Sequence, residues 1–127
     1  MTSLYQTLAL SLAFCGIAHA QDAVFQTRSL TPETALTAAR AALDSCRTKG
    51  YQVAVAVVDR AGITQVLIRD RFAGPHTVDV ATNKAWTASS MRMSTTAFAT
   101  ETQAGKPMSG LRSHNRVMAA GGGVVIE

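Results

Sequence analysis

Cysteine is scarce in this chain of 127 residues, which holds only Cys15 and Cys46. Cys15 lies in an apolar N-terminal stretch, so a domain built from the remainder has one thiol and no internal disulfide. Its stability has to come from packing. Histidine is nearly as scarce, with His19, His76 and His114. Aromatic residues make up 6% of the chain and nowhere interleave with a block of Lys or Arg. A nucleic-acid partner is therefore not indicated, despite the net charge of +4. The apolar run at residues 8–17 is shorter than the roughly 20 residues that a membrane helix needs, so no stable span is expected. G-x-S-x-G and H-E-x-x-H patterns are missing, and Gly121-Gly122-Gly123 lacks the Lys-Ser/Thr of a phosphate loop. No motif specifies a reaction, and whether the chain is an enzyme stays open.

What the N-terminus does contain is a secretory signature. Residues 8–17 have the length of a signal-peptide apolar core, and Ala18-His19-Ala20 follows as an A-x-A cleavage site before polar Gln21-Asp22. The segment before the run carries no Lys or Arg, so only the α-amino group is positive there. Residues 1–20 are read as a signal peptide, 21–30 as a leader and 31–127 as one domain, with a periplasmic or secreted destination. All charged side chains lie after residue 20, and their balance favours small anionic ligands such as carboxylates.

Thr31-Pro32-Glu33 reads as a helix start, with Thr31 at the N-cap, Pro32 at N1 and Glu33 near the positive end. Leu36, Ala39, Leu43 and Cys46 follow at helical spacing, and Lys49-Gly50 closes the helix. Val53-Ala54-Val55-Ala56-Val57-Val58 predicts a strand buried on both faces. Asp59-Arg60-Ala61-Gly62 makes a turn, and residues 63–69 return as the second strand of a hairpin. Ala73-Gly74-Pro75 breaks the chain before a helix with Val78, Ala81, Ala85 and Ala88 on one face. Ser94-Thr95-Thr96 caps a shorter helix that runs to about residue 103. Residues 116–120 are expected to begin a third strand, with the three glycines shaping a bulge or turn before Val124-Val125-Ile126.

The segment 69–77, with Lys84-Ala85-Trp86-Thr87-Ala88, resembles the GlcG/HbpS-like family. So do the Val58-Asp59 and Gly62 of the hairpin, Phe98 in the third helix and the glycines at 121–123. The resemblance runs from about residue 30 to 126 and implies an α/β (α+β), profilin-like sandwich, an antiparallel sheet covered by helices. It also implies haem or a related tetrapyrrole as cofactor and assembly as a homo-oligomer. The family's continuation, further strands and a closing helix, is expected to be missing, as in a C-terminally truncated member. Some members hold iron with two carboxylates spaced three apart. The matching positions here are Asp79 and Thr82, and one hydroxyl in place of a carboxylate removes a hard anionic ligand.

Haem iron takes His, Met, Cys or Tyr as axial ligand. His114 is the first choice for metal ligation, because it precedes the glycine-rich segment that the resemblance places on the cofactor side. Arg112 and Arg116 flank it and suit propionates through charge-assisted bonds. His76, beside Arg69 and Arg71 in the Gly-Pro loop, is the second choice. Met91, Met93, Met108 and Met118 offer thioethers or serve as core filler. Asp59 and Asp70 are the carboxylates for any acid–base chemistry, although turn formation explains both. The expected function is an exported haem- or tetrapyrrole-binding module. The alternatives are a small-molecule enzyme of the glycolate-associated GlcG type and a non-functional fragment.

Overall fold

The computed structural model describes residues 24–126. The signal-peptide reading and Cys15 lie outside the described residues. In chain order the elements are α1 (Pro32–Thr48), β1 (Ala54–Val58), β2 (Thr64–Arg69), α2 (Thr77–Met91) and α3 (Thr95–Glu101), then a 3-10 turn at Ser109–Ser113. The class is α/β, an antiparallel β1–β2 sheet with helices packed on it.

Helix α1 begins where the sequence puts it. The Thr31 hydroxyl accepts from the Thr34 backbone N–H, and Pro32 takes the first helical position. It ends in a Schellman closure, with Tyr51 N–H donating to Cys46 C=O and Gly50 N–H to Arg47 C=O, and Gly50 at φ +80°. Its buried stripe is Ala35, Ala39 and Leu43. Leu36, expected in that stripe, is only half-buried, because the sheet meets the helix one residue earlier. Small Ala35 and Ala39 let α1 approach closely, and they form the main core with Val57, backed by Leu30, Val55, Val66 and Ile68.

Strand β1 pairs with β2 from Ala54↔Arg69 through Val57↔Val66, and a bulge follows at Val57/Val58. Val55 and Val57 face α1, so the alternate residues Ala54 and Ala56 face α2. The strand is thus sandwiched, but apart from Val57 its residues are half-buried rather than buried on both faces as expected. The reason is topological: among the described residues β1 has one strand partner, and its other edge has none. The connecting turn is set by Asp59, whose Oδ1 accepts from Ala61 N–H and Ile63 N–H, and by Gly62 at φ +77°.

Helix α3 is capped by Ser94, whose hydroxyl accepts from Ala97 N–H. Together with α2 it forms a second, threonine-rich core around Phe98, with Thr87, Thr95 and Thr102 fully buried. The expected strand at 116–120 is not formed; these residues run as a turn and irregular chain. Among the described residues they pair with neither strand, and a strand without a partner leaves its backbone groups unpaired. Residues 121–126 follow as irregular chain, pinned where Thr95 N–H donates to Gly123 C=O and Gly123 N–H donates to the Thr95 hydroxyl. Among the described residues no helix is long and apolar enough to cross a membrane.

Candidate functional site

Two features of this frame could receive a ligand. The first is built on Trp86, in the last half of α2. Its Cδ1 lies so close to Gly62 of the hairpin turn that a Cβ there would meet it at 2.5 Å. Glycine is therefore needed at 62 for backbone conformation and for space at once. On the other side, the 3-10 turn delivers His114, whose ring stacks on Trp86 at a centroid distance of 5.5 Å and an interplanar angle of 7°. Arg116 places its guanidinium 4.7 Å from the Trp86 ring centroid. The turn is held by Val117 N–H donating to His114 C=O, and by Met118 N–H donating to the Thr87 hydroxyl.

His114 and Arg116 are both exposed. His114 Nδ1 accepts from Arg116 N–H at 3.2 Å, which places the proton of the neutral ring on Nε2. Ligation through Nε2 therefore requires that this long, solvent-facing bond be given up, a change worth about 1 kcal/mol. The cluster brings together an imidazole and a cation from one turn of chain and an aromatic ring from α2.

The other predicted residues are elsewhere. Arg112 donates through Nε to Thr102 C=O and hydroxyl, and through Nη2 to Ala99 C=O, so it closes the C-terminal end of α3. His76 is the N-cap of α2, exposed, and makes no capping bond. Ten residues of helix, about 15 Å at 1.5 Å per residue, separate its position from Trp86. The structure brings His114 and Arg116 together and leaves His76 and Arg112 apart from them. Asp79 is exposed, and the Thr82 hydroxyl donates back to Val78 C=O. Among the described residues no cluster of three or more His, Cys, Asp or Glu side chains could hold a metal.

The second feature is a groove of about 1030 Å³ along the open edge of β1. Ala38, Ala42 and Cys46 of α1 wall one side, and Val80, Ala81 and Ala85 of α2 the other. Residues 122–126 close the far rim, and Arg28, Arg60, Lys84 and Arg92 stand around it with Asp59 as the one carboxylate. Cys46 is a half-buried free thiol in the groove wall. Neither histidine lines it.

Asp70 turned out to be structural. It is buried, and its Oδ1 accepts from Nε and Nη2 of Arg47 at the end of α1. That hydrogen bond and the attraction of Asp70, with help from Asp44, raise the Arg47 pKa above its ordinary value against partial desolvation. Sequence reasoning missed this pair because 23 residues separate the partners. The Trp86–His114 stack was equally hidden, and only the Lys84-Ala85-Trp86 segment hinted that α2 mattered.

The comparisons with known proteins agree on one family. Residues 30–127 match the family model described as haem degrading protein HbpS-like. The crystal structure of HbpS is 35% identical, with a TM-score of 0.76, covering 82% of this chain and 72% of that one. A Streptomyces reticuli HbpS double mutant is 33% identical, with a TM-score of 0.77, covering 96% and 77%. The crystal structure of a PduOC:heme complex is 31% identical, with a TM-score of 0.67, covering 75% and 70%. No curated protein matches. The chain belongs to the HbpS-like family.

Proposed function

We propose that the chain is an exported module that binds haem or a closely related tetrapyrrole. The observation that carries this reading is the likeness to PduOC in its haem complex, within a family described as haem-degrading. The site chemistry fits such a group. An exposed imidazole sits on an indole face with a guanidinium beside it, which supplies an axial donor, a flat apolar contact and a partner for a propionate. His114 and Arg116 would hold the group, and when bound it supplies a redox-active iron. Trp86 keeps His114 in place, and the Gly62 turn behind Trp86 keeps the indole from swinging away. Assembly into a homo-oligomer belongs to the same reading, since an exposed site shielded by a second subunit excludes water better than one chain does.

Titrating haem into the wild-type chain, His114→Ala and His76→Ala tests the ligand set. The wild type should show a shifted Soret band. His114→Ala should change the band and weaken binding at least about tenfold, the loss of roughly one charge-free ligand bond. His76→Ala should leave both as they are. Identical spectra and affinities for all three proteins would rule out imidazole ligation.

A further inference from the structure

Thr87 is fully buried in α2, next to Trp86 in the chain. A threonine inside a helix often returns its hydroxyl to the carbonyl one turn back, as Thr82 does to Val78 and Thr102 does to Phe98. The Thr87 hydroxyl accepts from Met118 N–H at 2.9 Å instead, across 31 positions of sequence. Valine would fill the same space with no polar group to bury, so packing alone does not call for a hydroxyl at this position. What the hydroxyl adds is its hold on the stretch that carries His114 and Arg116.

His114, Asn115 and Arg116 are exposed, and the bonds around them stay within the turn. His114 N–H donates to Leu111 C=O, Arg116 N–H to His114 Nδ1, and Val117 N–H to His114 C=O. Such bonds keep the shape of a turn without saying where it lies on the molecule. Upstream the location comes from Arg112, bonded to Thr102 and Ala99 at the end of α3. Downstream, among the described residues, the first hydrogen bond to another element is Met118 to Thr87, and the next is Gly123 to Thr95. The ring that stacks on Trp86 is thus hung between α3 and α2.

We propose that Thr87 is a positioning residue for the His114 site. Its hydroxyl fixes where the 114–118 stretch lies along α2, and so sets the imidazole against Trp86 at the place from which it meets a ligand. Trp86 and Thr87 are consecutive on one helix, so the stacking surface and the anchor keep a constant relation. Without the anchor the ring is located from the Arg112 side alone and samples positions off the indole. The effect of Thr87 on haem uptake rests on the haem reading of this site, whereas its effect on the ring position does not.

The test compares the wild-type chain with Thr87→Val, Thr87→Ser and Thr95→Val by NMR, first without haem and at one pH. The indole ring current should shift the His114 ring protons away from free imidazole values, and His114→Ala identifies those signals. Thr87→Val should return them towards free imidazole values and speed Met118 amide exchange by at least about tenfold. Met118 is half-buried, so water can take its N–H and the fold should survive. Thr87→Ser keeps the hydroxyl and should restore both readouts. Met118→Pro removes the donor instead of the acceptor and should move the His114 signals as Thr87→Val does. Thr95→Val loses the bond to Gly123 and should leave the signals in place, which separates general loosening from loss of position. With haem added, Thr87→Val should bind about three- to tenfold more weakly than wild type, the net worth of one hydrogen bond. His114 signals unmoved by Thr87→Val, or moved as far by Thr95→Val, overturn the proposal. If the signals respond as expected but the wild type takes up no haem, the haem reading fails and the positioning of His114 by Thr87 stands.

Discussion

At the residue scale, the Arg47–Asp70 pair couples the end of α1 to the end of β2. Asp70 is buried, and among the described residues its Oδ2 has no hydrogen-bond partner and Arg47 is the one cation paired with it. Removing one partner of such a pair strands the other, whereas removing both does not. Arg47→Ala should therefore lower the melting temperature by more than Arg47→Ala combined with Asp70→Ala, a reversal of ordinary additivity. Thermal unfolding followed by circular dichroism checks it, and a double variant less stable than the single one speaks against this account. Residues whose role is local were legible in the sequence: Thr31 as a cap, Gly62 as a turn former and Leu43 as core. Asp70 was not, because burial of a turn carboxylate depends on what α1 brings to it from far along the chain.

At the element scale, the three helices and the hairpin follow from caps, glycines and apolar spacing, and the structure has them within a residue or two. The strand expected at 116–120 does not form, and the 3-10 turn at Ser109–Ser113 was not foreseen. Both departures have one cause. Composition reports that a segment suits a strand, but pairing needs an edge, and the free edge of β1 lies across the groove. What fixes the C-terminal segment instead is Thr95, which is fully buried and bonds Gly123 through its hydroxyl at 2.8 Å. Thr95→Val keeps the shape and leaves the Gly123 N–H without that partner, a loss of about 1–3 kcal/mol. Denaturant unfolding should show it, together with faster exchange at Gly123. Wild-type stability in this variant would mean that the segment is held by contacts other than this bond.

At the scale of the whole molecule, the sequence pointed to the family, and the matched family model and relatives bear that out; the order of the three helices and the hairpin is as expected, without the further strand. The site was only half legible. His114 and Arg116 were singled out and do meet, but the surface on which they meet belongs to Trp86, 28 positions before His114 in the chain. The proposed export rests on Ala18-His19-Ala20. Expressed with its N-terminus in a secreting host, the protein should begin at Gln21, and Ala20→Leu should stop processing, because signal peptidase needs a small residue there. Mass spectrometry that finds Met1 on exported wild-type protein would contradict this reading.

Trp86 is also the one tryptophan in the chain, held between the hairpin turn and the His114 ring. Excited where tyrosine hardly absorbs, the protein emits from a single address. A porphyrin absorbs across the range of indole emission and would drain it by energy transfer. Haem taken up beside Trp86 would therefore announce itself without any added label, by darkening the molecule's own light.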